Sequence, residues 1–247
     1  WNNRIFSDFF IQFFELPLHF QAPDTSKPPS FVDIEPLSED NPTPLIARPL
    51  KNLIDYQTQV YLDSMEKLQI PRSRFVIQMP TGSGKTRTSM EIISSFLKNA
   101  DEGAVVIWLA HSRELCEQAY QCFIEVWQYL SNKPLKALRC WGSHPAPAAY
   151  EKSMFIVGGF QKINSLLKKD ASSFGQLSER VGLIVIDEAH KAVAPTYKNA
   201  IRMLKGDNTN VIGLTATPGR TETEETVEMS EFFFESKVNI TTPSGVS

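Results

Sequence analysis

An alternation of short apolar runs with amphipathic segments constrains the fold of this chain more than any other feature of the sequence. Runs rich in Val, Ile and Leu, with the length of buried strands, lie at 74–79, 105–110, 154–157, 183–186 and 211–214. The segments between them have helical periodicity, near 84–98, 112–130, 160–169 and 195–205. Strands that alternate with helices predict an α/β fold, in which a parallel sheet is covered by helices on both faces.

The first fifty residues follow a different pattern. Aromatic and aliphatic side chains recur at three- and four-residue spacing over 1–21, which predicts an amphipathic helix. Its aromatic face would pack either on this domain or on a partner protein or neighbouring domain. Prolines punctuate 22–49, so we expect this stretch to be a linker or an extended wrap over the surface. Because residue 1 is Trp rather than Met, we also expect a longer or processed polypeptide.

Composition excludes few classes of function. The chain has 247 residues, of which 42% are hydrophobic and 21% charged, as in an ordinary globular protein. Its net charge of −3 depends on residues 221–235, which contain six Glu and neither Lys nor Arg, so the charge neither demands nor excludes nucleic acid. No apolar run approaches the roughly 18 residues that span a bilayer. The three cysteines, Cys116, Cys122 and Cys140, lack metal-ligand spacing and suit a reducing, cytoplasmic compartment.

A glycine-rich run follows the first predicted strand directly and precedes a predicted helix. It has the sequence of a phosphate-binding loop, and its predicted ATP ligands are Thr81, Gly82, Ser83, Gly84, Lys85 and Thr86. The glycines allow a tight turn in which backbone N–H groups surround an anion at a helix N-terminus. Lys85 would reach the β- and γ-phosphates, and the Thr86 hydroxyl would bind Mg²⁺.

A pair of acidic residues completes the predicted catalytic site. Asp187 and Glu188 follow the very apolar strand at 183–186, and ligands of open α/β sheets collect at the carboxyl ends of the strands. Asp187 would hold Mg²⁺, while Glu188 would orient and deprotonate the attacking water. We therefore predict catalytic roles for Lys85, Asp187 and Glu188.

With these motifs in view, the chain resembles the first motor lobe of superfamily 2 helicases and translocases over about residues 50–240. Tyr56 and Gln57 resemble the adenine-reading element of that family, which implies that Gln57 contacts the base. The segment 109–115 resembles motif Ia, and the segment 157–161 lies where motif Ib falls. The resemblance implies nucleic-acid contacts at four residues: Ser112, Arg113, Gly158 and Gly159. Family members often have Thr at the position of Gly159, which here has no hydroxyl to offer.

Two further motifs place the chain within that family. Residues 187–190 read Asp-Glu-Ala-His, and residues 215–217 read Thr-Ala-Thr and resemble motif III. The resemblance implies that His190, Thr215 and Thr217 couple the nucleotide site to lobe movement. DEAH-box RNA helicases resemble Ser-Ala-Thr at motif III, so Thr-Ala-Thr-Pro-Gly-Arg is more similar to the DNA-acting branch of restriction-enzyme motors and excision-repair helicases.

The resemblance implies a RecA-like ATPase lobe that uses ATP and Mg²⁺ and acts on nucleic acid, with DNA favoured over RNA. It also implies a second lobe carrying an arginine finger, with 241–247 as the start of the connection to it. Two alternatives stay open at this stage. One is a P-loop ATPase that drives protein conformational change without nucleic acid, and the other is a non-catalytic scaffold.

Overall fold

The computed structural model describes residues 29–34, 52–131, 133–147, 151–169, 177–190, 195–216, 231–233 and 237–239. The predicted aromatic helix at 1–21 lies outside the described residues, as do most of 22–49 and all of 241–247. The strands are β1 Phe31–Ile34, β2 Arg74–Gln78, β3 Val105–Ala110, β4 Leu135–Cys140, β5 Met154–Gly159, β6 Val181–Ile186, β7 Asn210–Thr215 and β8 Lys237–Asn239. The helices are α1 Asp55–Leu68, α2 Lys85–Asn99, α3 Arg113–Leu130, α4 Phe160–Lys169 and α5 Pro195–Leu204.

The strands form one sheet in the order β1-β4-β5-β3-β6-β7-β2-β8 within the described part of the chain. All neighbouring pairs are parallel except β1 and β4, which are antiparallel. Every residue of the central strand β3 and of β7 is buried, as expected for strands covered on both faces. The predicted α/β fold with a parallel sheet is confirmed.

Two apolar clusters lie on opposite faces of the sheet, because successive side chains of a strand point to opposite sides. Trp108 belongs to the cluster that packs under α1, α2 and α3, and its neighbour Leu109 belongs to the cluster that packs under α4 and α5. In the first cluster the ring of Phe123 on α3 stacks on that of Phe155 on β5, with 3.8 Å between centroids. The helices therefore hold the sheet from both sides and fix the positions of its strand ends.

Strand β4 was not predicted, because its sequence hides its buried character. Lys136 and Arg139 interrupt the apolar run, yet the side chain of Arg139 is only 4% exposed. Its guanidinium donates two hydrogen bonds to Glu117, at 3.2 and 2.9 Å, and one to the Pro29 carbonyl oxygen at 2.8 Å. It also lies 3.7 Å from the centroid of the Tyr120 ring. A buried arginine is tolerated where its charge and its donors are satisfied in this way.

The edge strand β1 lies inside the proline-rich stretch 22–49. Phe31 pairs with Leu138 and Ile34 with Leu135, so this segment extends the sheet beyond β4. Prolines flank it at positions 29 and 36, and the strand between them keeps its backbone N–H groups. An edge position is where a sheet accepts a strand bounded by prolines.

Candidate functional site

The carboxyl ends of five neighbouring strands bring the predicted site residues to one edge of the sheet. In spatial order these strands are β5, β3, β6, β7 and β2. The segments that follow them begin at Phe160, His111, Asp187, Ala216 and Met79. Residues that are far apart in sequence thus line two adjacent clefts, and ligand sites of open α/β sheets lie at this edge.

The phosphate-binding loop connects β2 to α2 through backbone in the left-handed region. Gly82 and Gly84 have φ of 79° and 82°, which glycine adopts without steric cost. A side chain at Gly84 would also collide with Gln57, because a Cβ built there lies 2.3 Å from Nε2 of Gln57. Gly84 is the N-cap of α2 and offers no side chain to the first N–H groups of the helix, which leaves the helix N-terminus suited to an anion.

The residues predicted to read adenine lie against the back of this loop. Both Gln57 Nε2 and the Tyr56 hydroxyl donate to the carbonyl oxygen of Ser83, at 2.8 and 3.0 Å. The Gln57 Oε1 accepts a hydrogen bond from the backbone N–H of Ile54 at 3.1 Å. Ser83 is further tied to the loop by its hydroxyl, which donates to the Pro80 carbonyl oxygen at 2.6 Å. In this arrangement Gln57 supports the phosphate loop through α1.

The acidic pair lies beside the loop, at the end of β6. The backbone N–H of Asp187 donates to the Leu109 carbonyl oxygen at 2.9 Å, which fixes β6 against β3. Burial raises the pKa of the Asp187 carboxyl, and the nearby charge of Lys85 opposes that rise. Lys85 and Asp187, which are far apart in the sequence, therefore lie close enough for the lysine charge to affect the pKa of the carboxyl. A carboxyl in a cleft whose pKa is perturbed by burial and by a nearby charge marks a candidate functional site.

Glu188 has a strained backbone and a defined side-chain contact. Its φ is 56°, in the left-handed region that non-glycine residues rarely adopt. Strain of this kind costs on the order of 1 kcal/mol and is concentrated at functional sites. The carboxylate Oε2 lies 3.0 Å from Nδ1 of His111, within ion-pair distance. His111 lies directly after β3, so the contact joins the ends of two neighbouring strands.

The first cleft, which we call the nucleotide cleft, has a volume of about 490 Å³. It contains five of the six predicted loop residues together with both carboxylates and His190: Thr81, Gly82, Gly84, Lys85, Thr86, Asp187, Glu188 and His190. Helix α3 forms a further side of this cleft with three residues that were not predicted from the sequence: Leu115, Gln118 and Cys122. Their spacing of three and four residues marks one helix face, a signal that the sequence does contain.

The second cleft, which we call the neighbouring cleft, has a volume of about 280 Å³ and lies at the ends of β3, β4 and β5. Its lining includes three of the predicted nucleic-acid contacts, Ser112, Arg113 and Gly159. Ser112 caps α3 as predicted, since its hydroxyl accepts the Leu115 N–H at 3.2 Å. Gly158 is buried beneath Ile163 and is not among the residues that line this cleft.

Other residues of the neighbouring cleft were missed by the sequence reasoning. Trp141 and Gly142 follow the unpredicted strand β4, and Lys162 lies on α4, three residues after Gly159. Gly142 has φ of 54°, and a Cβ there would lie 2.8 Å from Nη2 of Arg113. A glycine at this turn therefore makes room for the arginine, whose charge lies within the cleft.

The structure describes two of the three residues with a predicted coupling role, His190 and Thr215. Thr215 is buried at the end of β7, and its carbonyl oxygen accepts the Met79 N–H at 3.0 Å, which ties β7 to the entry of the phosphate loop. Ala216 lines the nucleotide cleft. Thr217 lies outside the described residues.

The three cysteines are free thiols, two of them buried and one half-buried. Burial raises the pKa of Cys116 and Cys140 to about 12 and that of Cys122 to about 11, and no disulfide joins these three residues.

Across the described ranges, the helices are too short or too polar to cross a membrane.

The residues of the nucleotide cleft fit a magnesium ion. Thr86 and Asp187 supply a hydroxyl and a carboxylate in one cleft, and oxygen ligands are those that Mg²⁺ prefers. Among the described residues no group of three His, Cys, Asp or Glu side chains forms a self-contained metal site. Such a pair suits an ion that completes its shell with water and phosphate oxygens rather than a permanently held metal.

Comparison with known proteins agrees with this geometry. Residues 50–220 match the family model described as type III restriction enzyme, res subunit. The helicase domain of Hef from Pyrococcus furiosus is 30% identical, with a TM-score of 0.57, and the match covers 76% of this chain and 38% of that one.

Two curated relatives are more distant. The ATP-dependent DNA helicase mph1 of Sclerotinia sclerotiorum is 26% identical over 155 residues, which is 60% of this chain. Dicer-like protein 2 of Emericella nidulans is 28% identical over 191 residues, which is 71% of this chain. The matched region is only 12% of the length of each relative. The chain belongs to the type III restriction enzyme res subunit family, and its fold is that of a RecA-like superfamily 2 helicase domain, a class of nucleic-acid-dependent ATPases.

Proposed function

We propose that this domain binds Mg·ATP in the nucleotide cleft and hydrolyses it in response to nucleic acid held in the neighbouring cleft. Duplex DNA is the favoured substrate. The observation that carries the proposal is the convergence of Lys85, Asp187 and Glu188 on one cleft at the carboxyl edge of the sheet. A non-catalytic scaffold would have no use for a phosphate loop facing two carboxylates.

Phosphate binding follows from the loop and the start of α2. The backbone N–H groups around Gly82 and Gly84 and the positive end of the helix dipole attract the phosphates. Lys85 contributes a positive charge in the same cleft as Asp187. Thr86 and Asp187 would hold Mg²⁺, which when bound neutralises charge on the phosphate oxygens. The proposed contact of Gln57 with adenine would use the second N–H of its Nε2 and the second lone pair of its Oε1, since each atom already bonds one backbone group.

Hydrolysis requires a base for the attacking water, and we assign this role to Glu188, which lines the nucleotide cleft. The water oxygen forms a bond to the γ-phosphorus while the bond from that phosphorus to the bridging oxygen breaks. The electron pair of the broken bond leaves with ADP, and the proton of the water passes to the Glu188 carboxylate. General-base catalysis of this kind contributes about 10²- to 10⁴-fold to a rate.

The neighbouring cleft supplies contacts suited to a phosphate backbone. The N-terminus of α3, capped by Ser112, offers backbone N–H groups, and Arg113 and Lys162 add positive charge. Gly159 allows close approach of a backbone, and Gly158 supports it from beneath. The restriction-enzyme family and the DNA helicase mph1 favour DNA, whereas Dicer-like protein 2 keeps RNA as the outcome to be tested.

We also propose that a second lobe completes the motor, with His190, Thr215 and Thr217 relaying the state of the nucleotide to it. Support comes from the Hef helicase domain, of which this chain covers 38%. An arginine finger from such a lobe is worth about 10³- to 10⁵-fold in phosphoryl transfer. Residues 1–247 alone should therefore bind nucleotide but hydrolyse it slowly. Rapid hydrolysis by residues 1–247, stimulated by DNA, would contradict the need for a second lobe.

The test of function is ATP turnover by the full-length protein with no nucleic acid, with duplex DNA and with duplex RNA of the same sequence. We expect the largest stimulation by DNA. Stimulation by RNA alone would move the substrate class to RNA. Equal rates in all three conditions would favour the alternative in which ATP drives a protein conformational change without nucleic acid.

A further inference from the structure

His111 lines the neighbouring cleft and also contacts the proposed catalytic base. It follows β3 directly, and Glu188 lies two residues beyond the end of the adjacent strand β6. Its position between the clefts is set by the pairing of two central strands, so it does not depend on a surface loop. The β3 and β6 backbones are held at this point by the hydrogen bond from the Asp187 N–H to the Leu109 carbonyl oxygen.

The geometry of the contact assigns each partner a role. A carboxylate oxygen can only accept a hydrogen bond, so a hydrogen bond across this 3.0 Å contact requires Nδ1 of His111 to be the donor and Oε2 of Glu188 the acceptor. The two side chains are 32% and 37% exposed, which leaves them within reach of ligands in either cleft. The Glu188 backbone is held at a φ of 56°. The strained backbone fixes the direction in which the Glu188 side chain leaves the main chain. The contact with His111 then restricts the position of the Glu188 carboxylate.

We propose that His111 is a positioning residue that orients the Glu188 carboxylate for attack on ATP, and that nucleic acid in the neighbouring cleft acts on the base through this imidazole. This inference rests on the proposed function, because it requires Glu188 to be the base. It gives the two clefts a direct physical connection: a phosphate near Ser112 and Arg113 meets the same side chain that holds the carboxylate.

The main test compares His111→Ala with wild type in the full-length protein, with saturating duplex DNA. Loss of a hydrogen bond to a charged group should lower kcat about 10- to 100-fold. The KM for ATP and the affinity for a fluorescent ATP analogue should change less than twofold, because His111 is not among the residues that line the nucleotide cleft. Gln59→Ala on the exposed side of α1 serves as a control, since Gln59 is exposed and donates a hydrogen bond of 2.7 Å to Asp63 on the same helix.

A conservative variant separates positioning from a structural role. In His111→Asn the side-chain nitrogen is the same number of bonds from Cα as Nδ1, so this variant should recover most of kcat. His111→Leu keeps side-chain volume but has no donor, and it should remain slow. If the alanine variant does not fold, the comparison of Asn with Leu makes the same test.

A double variant tests whether His111 acts through Glu188. Groups that act as a unit have non-additive effects, so His111→Ala combined with Glu188→Gln should be no slower than Glu188→Gln alone. Wild-type kcat in His111→Ala, or fully additive losses in the double variant, would overturn the inference. Wild-type hydrolysis by Glu188→Gln would instead overturn the proposed base, so the two failures are distinguishable.

Discussion

The two clefts at the carboxyl edge of the sheet differ in how their chemistry is built. The nucleotide cleft depends on a glycine-rich loop at a helix N-terminus and on two carboxylates. Few other residue types could take the roles proposed for these groups. The neighbouring cleft combines a capped helix start, an arginine and a lysine with the unpredicted turn after β4. Phosphates of a bound nucleotide need a closed nest, whereas a nucleic-acid backbone is held by spread charge and N–H groups. The difference predicts that single substitutions abolish function in the first cleft and weaken it in the second.

Removal of the Lys85 charge should have the largest effect and should fall on nucleotide binding. Lys85→Ala deletes the one full positive charge that this loop places against Asp187, while α2 keeps its length and its buried face. We expect binding of a fluorescent ATP analogue to be lost and the far-UV circular dichroism to be unchanged. Lys98→Ala, at the other end of the same helix, is the matched control. Unchanged ATP affinity in Lys85→Ala would remove the assignment of the nucleotide cleft.

Substitution of the proposed base should separate binding from chemistry within the same cleft. Glu188→Gln is expected to bind Mg·ATP normally and to lower the hydrolysis rate about 10²- to 10⁴-fold. Asp187→Asn should instead raise the Mg²⁺ concentration needed for half-maximal activity, because Asp187 is the proposed metal ligand. Single-turnover hydrolysis at varied Mg²⁺ distinguishes the two variants. The roles would have to be exchanged if Glu188→Gln changed the Mg²⁺ requirement and Asp187→Asn did not.

A substitution in the neighbouring cleft should have a graded effect. Arg113→Ala removes one phosphate contact, so DNA affinity should fall about tenfold and the slope of log K against log salt should decrease by about one. The affinity for ATP without DNA should stay at the wild-type value, because Arg113 does not line the nucleotide cleft. Fluorescence anisotropy with labelled duplex DNA at several salt concentrations measures both quantities. An equal loss of ATP affinity would mean that the two clefts are not separate sites.

The smallest expected effect is a gain in stability. Because burial raises the pKa of Asp187 in the folded protein, the contribution of this group to stability is present below its ordinary pKa. It is lost as pH rises through the folded-state pKa. At neutral pH without metal, Asp187→Asn should therefore raise Tm slightly, and the pH dependence of Tm should become weaker in the acidic range. A lower Tm in this variant would show that the Lys85 charge outweighs burial.

The same difference between the clefts explains which site residues could be predicted from the sequence. Every strand predicted from an apolar run is present, and Lys85, Thr86, Asp187 and Glu188 meet as their motifs indicate. Strand β4 was missed because Arg139 is buried by partners that are 22 and 110 residues away, Glu117 and Pro29. With β4 unseen, Trp141 and Gly142 could not be assigned to a cleft. The contact between His111 and Glu188 depends on the adjacency of β3 and β6, which local patterns do not specify.

The most direct test of the account is steady-state ATP hydrolysis by the full-length protein with and without duplex DNA, in wild type and in Glu188→Gln. We predict that DNA stimulates the wild-type enzyme and that the variant, with normal ATP and DNA binding, is not stimulated. Equal wild-type rates with and without nucleic acid, or stimulation of Glu188→Gln to the wild-type rate, would contradict the proposed function.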